Sequence, residues 1–184
     1  MESISYTKET LRDLMEGKLP WSATKSIISG HKDEDRFEKY LEVLQEKVPW
    51  NEKILLPLTD ELFIVQKGDD RIVKCTCGHE FGDYRINWKL DALINVRESK
   101  EDLAELYPYP GAPDPSHCEV REYYCPGCGT QLEVEVVPFG YPVVFDFLPD
   151  LDSFYRDWLN KPLAGEKEFK DLSSEHVKQD WLQP

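Results

Sequence analysis

Apolar positions in the first fifty residues recur every three to four places, and beyond residue 54 they recur every second place. The first spacing is that of one face of a helix and the second that of a half-buried strand. Thr7 caps a first helix that runs through Glu16, with Leu11, Leu14 and Met15 on one side and Gly17 ending it. A short second helix, Trp21 to Ser29, lies between Pro20 and Gly30. The third is the clearest. Asp33 or Asp35 starts it, Phe37, Tyr40, Leu41, Leu44 and Val48 follow helical spacing, and Pro49 stops it. Its charged face (Glu38, Lys39, Glu42, Glu46, Lys47) reads as a solvated one.

Leu62 to Gln66 and Arg71 to Cys75 predict a hairpin across Lys67-Gly68-Asp69-Asp70. Trp88, Leu90, Ala92, Ile94 and Val96 alternate with mostly polar residues, which predicts another strand. A short helix is expected over Lys100 to Tyr107, and the proline-rich stretch 108–117 reads as loop. Glu119 to Cys125 and Gln131 to Val137 form a second predicted hairpin. The segment PFGYPVVFDFLPD (138–150) is apolar and punctuated by prolines. Asp150 to Asn160 reads as a helix burying Leu151, Phe154, Tyr155, Trp158 and Leu159. The last 24 residues are polar with scattered Phe169, Leu172, Val177, Trp181 and Leu182, the pattern of a short amphipathic arm that needs another surface.

These elements predict an α+β fold: an antiparallel, zinc-ribbon-containing sheet with an N-terminal helical arm and a C-terminal helix and extended tail. The expected divisions are a helical arm over 1–53, a zinc-ribbon β domain with a structured insert over 54–149, and a C-terminal helix and tail over 150–184.

Charge narrows the range of partners. The formal net charge of −14, from 36 Asp and Glu against 22 Lys and Arg, repels phosphate backbones and argues against nucleic acid. No apolar stretch approaches the ~18 residues of a membrane span. The N-terminus lacks a basic region followed by an apolar run. Five cysteines without such a signal point to a reducing cytoplasm, where paired thiols are more often ligands than disulfides.

Four of those cysteines form the pairs Cys75-Thr-Cys77-Gly and Cys125-Pro-Gly-Cys128-Gly. Thiolates on two tight turns can close a tetrahedron around Zn²⁺ and leave no open position for a substrate. Cys-x-Cys is tighter than the usual two-residue spacer, so His79 is an alternative ligand to Cys75. Iron–sulfur ligation uses the same residue types. The 47 residues between Cys77 and Cys125 exceed a simple ribbon. Closing the longer loop costs only about 1 kcal/mol more, against a zinc affinity on the order of 10 kcal/mol. The insert is therefore expected to be structured and to join the same sheet.

Other chemistry is sparse. Cys118 and His117 are neighbours, and side chains adjacent on a strand point to opposite faces, against a Cys–His nucleophile. His31 and His176 stand in polar surroundings. Asp83, Asp146, Asp150 and Asp152 show no spacing that would gather them. There is no glycine-rich phosphate loop, Ser/His/Asp signature or H-E-x-x-H. Trp181 and the PFGYPVVFDF stretch (138–147) are the aromatic features best suited to an interface.

The run RFEKYLEVLQEKVPWNEKILLPLTDELFIVQ (36–66), with CTCGHEFGDYRINWKL (75–90), REYYCPGCGTQLEVEVVPFGYPV (121–143) and FYRDWL (154–159), resembles the acetone carboxylase gamma-subunit family. The likeness runs over about residues 7 to 162 and extends well outside the cysteine turns. It implies a cytoplasmic heterohexamer of two alpha, two beta and two gamma chains that makes acetoacetate from acetone and bicarbonate while hydrolysing ATP to AMP and phosphate. It also implies that ATP and Mn²⁺ chemistry belongs to the large subunits, and that this chain carries structural Zn²⁺ on Cys75, Cys77, Cys125 and Cys128. A related acetophenone carboxylase also contains a small zinc subunit, which leaves the ketone open.

Overall fold

A computed structural model of the chain describes residues 5–31, 33–108 and 110–182, with side chains to residue 178. Two antiparallel sheets carry the body. The first has the order β1 (Lys53–Pro57), β2 (Leu62–Lys67), β3 (Asp70–Cys75), β4 (Glu80–Asp83); the second has the order β5 (Leu93–Arg97), β6 (Cys118–Tyr124), β7 (Gln131–Pro138). The insert between the cysteine pairs is structured, as its length required, and includes helix α4 (Lys100–Leu106). It does not join one sheet, since β4 extends the first and β5 opens the second.

Strand β2 explains the layering. Leu62 and Ile64 point into one apolar cluster and Phe63 and Val65 into another, and all four are buried. A strand covered on both faces shows an unbroken apolar run rather than alternation. Each such side chain contributes roughly 1.5–3 kcal/mol of transfer free energy. One cluster lies under helix α3 (Arg36–Gln45), where Leu41 and Leu44 meet Ile54, Phe63 and Ile72. The other joins Leu55, Ile64, Phe81 and Trp88 to Tyr123 of the second sheet and to Leu151 and Tyr155.

The N-terminal arm follows its sequence closely. Helix α1 (Lys8–Met15) starts where the Thr7 hydroxyl accepts the Thr10 N–H at 3.1 Å, and Gly17 takes a left-handed φ of 66° after it. Helix α2 spans Trp21–Ser29. Helix α3 ends at Gln45, three residues before Val48, because the Gln45 side chain is drawn to backbone: it donates to the Trp50 carbonyl and accepts from the Ile54 N–H. Asp33 is buried between Arg36 and the Tyr6 N–H. Burial would raise its carboxyl, but those donors hold it down at about 2.

Three further sequence expectations are corrected. Trp88–Asp91 is a 3₁₀ turn, and only Leu93–Arg97 is a strand. Trp88 and Lys89 are both buried, which neighbouring strand residues on a one-sided sheet cannot be; the Asn87 side chain accepts the Lys89 N–H and sets the turn. The helix expected over 150–160 is one α-turn, α5 (Leu151–Ser153), widened into a π-helix over Phe154–Trp158. Its wide turn carries Tyr155 inward, where the hydroxyl donates to the Leu55 carbonyl at 2.7 Å, and leaves Trp158 81% exposed rather than buried. The tail, finally, finds its surface on its own chain.

Arg71, fully buried, grips Asp152 through two bonds of 2.6 and 2.8 Å and donates to the Gly165 carbonyl at 2.9 Å. The Lys167 N–H also reaches Asp152, Leu172 N–H donates to the Arg85 carbonyl, and the Ser173 hydroxyl accepts from Asn87 N–H. Burial raises the Asp152 carboxyl, yet Arg71 and the Lys167 N–H outweigh it and leave it below the ordinary range. Helix α6 (Ser173–Leu182) closes the chain, and the Trp181 side chain lies outside the described residues. Among the described residues no helix is long and apolar enough to cross a membrane.

Candidate metal centre

Each cysteine pair stands at the end of a strand from a different sheet. Strand β3 delivers Cys75, and the chain reverses at once: Gly78 N–H donates to the Cys75 carbonyl at 2.8 Å and Cys75 N–H to the His79 carbonyl at 2.9 Å. Gly78 adopts φ 98°, a conformation a side chain would strain. Strand β6 leads to Cys125. There Gly129 N–H returns to the Cys125 carbonyl at 2.8 Å, and Cys125 N–H reaches the Thr130 carbonyl at 2.9 Å.

The turns bring all four sulfurs within 4.8 Å of one another. Cys75 and Cys128 are 3.9 Å apart and Cys77 and Cys125 3.7 Å, so the close pairs cross between turns. A tetrahedron with metal–sulfur bonds of about 2.3 Å has edges of about 3.8 Å. A disulfide would need about 2.05 Å. The spacing thus fits four thiolates around one zinc-sized ion, and such a group can hold a metal such as zinc.

Electrostatics set what a bound ion must overcome. Cys75 and Cys125 are fully buried, Cys77 and Cys128 exposed. Burial pushes Cys75 up to about 12 and raises Cys125. Cys128 is held at about 7, first by the Thr130 hydroxyl 3.2 Å away and then by the Thr130 N–H. Two buried thiols cannot ionise beside two others without a cation, and a soft divalent ion supplies that charge.

The turns also touch. A Cβ on Gly127 would stand 2.8 Å from the His79 Cβ and 3.4 Å from the Cys77 sulfur, so glycine is required there for space. The His79 N–H lies 3.5 Å from the Cys77 sulfur, and its ring packs edge-on against Phe81 with centroids 4.9 Å apart. The four-sulfur group contains Cys75 and not His79. Cys118 is outside the group too, its sulfur 3.5 Å from the Asp114 carbonyl oxygen.

The four aspartates considered from sequence do not gather. Asp83 pairs with Arg85, Asp152 with Arg71, Asp146 with Lys89, and Asp150 caps Ser153. A carboxylate group of Glu133, Glu135 and Asp146 does form, unforeseen, and the buried ammonium of Lys89 fills its centre. Lys89 stands 2.7 Å from Glu133 and 3.4 Å from Glu135, touches Asp146, and lies over the Tyr123 ring, 5.2 Å from its centroid. Burial would lower its pKa, but Asp146 and Glu133 raise it well above the usual lysine value. That is an internal counter-ion, and sequence showed no sign of it because the four residues come from three separated segments.

Against known proteins, the family model described as acetone carboxylase gamma subunit matches residues 48–159. The acetone carboxylase gamma subunit of Xanthobacter autotrophicus is 44% identical over 162 residues, 87% of this chain and 96% of its own length. The acetophenone carboxylase beta subunit of Aromatoleum aromaticum is 30% identical over 112 residues, 60% of this chain and 80% of its own length.

Proposed function

The chain belongs to the acetone carboxylase gamma-subunit family, and from that premise we propose that it is the small, noncatalytic, zinc-binding subunit of an ATP-dependent carboxylase acting on acetone. The reaction is acetone and bicarbonate to acetoacetate, with ATP converted to AMP and phosphate. Nucleotide, Mn²⁺ and substrate chemistry fall to the large alpha and beta subunits, in a cytoplasmic α2β2γ2 assembly that this chain stabilises. The observation that carries the reading is the 44% identity along nearly the whole of a named gamma subunit.

In this reading Zn²⁺ is held by Cys75, Cys77, Cys125 and Cys128. When bound, the ion supplies a cross-link and no reactive position, because four thiolates complete its coordination. Residues 54–149 form the metal-bearing body, 1–53 an arm and 150–184 a strap. Phe139, Tyr141, Phe147 and Trp158, 46%, 47%, 58% and 81% exposed, favour a subunit that covers them against larger neighbours. The acetophenone carboxylase relative supports a second reading, the same role with an aryl ketone.

Affinity purification of the chain from its native source tests the role. Two much larger polypeptides and acetone-dependent ATP hydrolysis are expected in the eluate. A lone chain at native abundance contradicts the reading, and turnover of acetophenone in place of acetone selects the second.

A further inference from the structure

The two cysteine turns differ in what holds them, and the difference singles out Trp50. The Cys125–Cys128 turn is closed by its own backbone and by Thr130. The Cys75–Cys77 turn closes two backbone bonds as well, but it has one residue between its ligands and leans in addition on distant residues. The Trp50 indole N–H reaches two carbonyls of that turn at once, Cys75 at 3.2 Å and Thr76 at 3.1 Å. On the opposite side the Thr76 hydroxyl donates to the Glu61 carboxylate, and the Thr76 N–H to the Glu61 carbonyl at 3.0 Å.

Trp50 is itself fixed. Its ring meets Phe63 edge-on at 6.1 Å and carries the Lys74 ammonium 5.1 Å from its centroid. Its carbonyl accepts the Gln45 side-chain amide of helix α3 at 3.3 Å. A rigid donor thus runs from the helical arm to the peptide that aims both sulfurs of the tighter turn. Hydrogen bonds of this outer kind fix ligand orientation, and removing one typically costs 10–100-fold in metal affinity.

We propose that Trp50 is a positioning residue of the metal centre, its indole N–H setting the Cys75-Thr76-Cys77 peptide for zinc and making metal retention depend on the N-terminal arm. The inference rests on the ligand assignment above.

The test measures zinc release from the full-length, zinc-loaded chain to a colorimetric chelator. Trp50→Phe keeps an aromatic ring and removes the donor; about tenfold faster release is expected. Ile72→Val is the control, since it loosens the same apolar cluster outside the aromatic pair that fixes Trp50, and release close to wild type is expected. Wild-type release from Trp50→Phe, or equal acceleration by Ile72→Val, overturns the inference. Cys128→Ser separates the two levels: if it retains zinc like wild type the ligand assignment fails, whereas zinc loss there with normal Trp50→Phe release defeats only the role of Trp50. Should Trp50→Phe not fold, the ¹⁵N-labelled wild-type chain gives the answer. In the zinc-loaded chain the Trp50 indole N–H should exchange with solvent far more slowly than that of exposed Trp158; a Trp50 signal that exchanges as fast as Trp158 overturns the inference.

Discussion

Both cysteine turns close their own backbone, and the first is in addition tied to distant segments by hydrogen bonds. Within six residues, Cys125 to Thr130 close two backbone bonds and place a hydroxyl beside Cys128. The Cys75 turn gathers Trp50 from beyond α3, Glu61 from before β2 and the facing surface of Gly127. An ion bound by all four sulfurs would tie the two sheets together.

That asymmetry can be broken in graded steps. The largest effect is expected from Cys128→Ser, which should lower zinc from about one per chain to none and drop solubility, because structural zinc sites contribute on the order of 10 kcal/mol. Cys118→Ser should leave the metal content unchanged. Elemental analysis of both variants decides, and zinc retained by the serine variant at 128 removes that sulfur from the site.

Next comes the support of the first sheet from the tail. Asp152→Ala leaves the fully buried Arg71 guanidinium without its partner and should cost about 3–5 kcal/mol in denaturant unfolding. A loss below 1 kcal/mol would mean that the strap adds little to the sheet bearing Cys75.

Contact between the turns is worth less. Gly127→Ala should destabilise by about 1–3 kcal/mol through overpacking on His79, and His79→Gly in the same chain should return part of it. Strict additivity of the two changes would show that the turns do not press on each other.

The smallest effect is a pH dependence of the arm. Asp33, held at about 2 against an ordinary 3.8, stabilises the folded arm fully above the unfolded value. That contribution fades as pH falls from about 4 through 2. Thermal unfolding followed by helix circular dichroism should therefore drop over this interval and less so in Asp33→Asn; identical profiles would remove Asp33 from the account.

Legibility in the sequence followed the range of the interaction. The helices of the arm, the hairpin at Gly68 and both cysteine turns are set by residues a few places apart, so caps, glycines and spacing reveal them. The split into two sheets, the 3₁₀ turn at Trp88 and the π-helix at Phe154 are decided by contacts between distant segments. Lys89 lies at the extreme of this range. It read as a polar position in an alternating strand, and only the fold brings Glu133, Glu135 and Asp146 around it. Trp50 is one tryptophan among five in the sequence, and nothing in its neighbourhood announces that its N–H is directed to a turn 25 residues away.

X-ray absorption at the zinc edge of the purified, full-length chain tests the central claim most directly. The account predicts four sulfur scatterers at about 2.3 Å and nothing lighter in the inner sphere. An oxygen or nitrogen neighbour at about 2.0 Å, or a chain that holds no zinc, contradicts it.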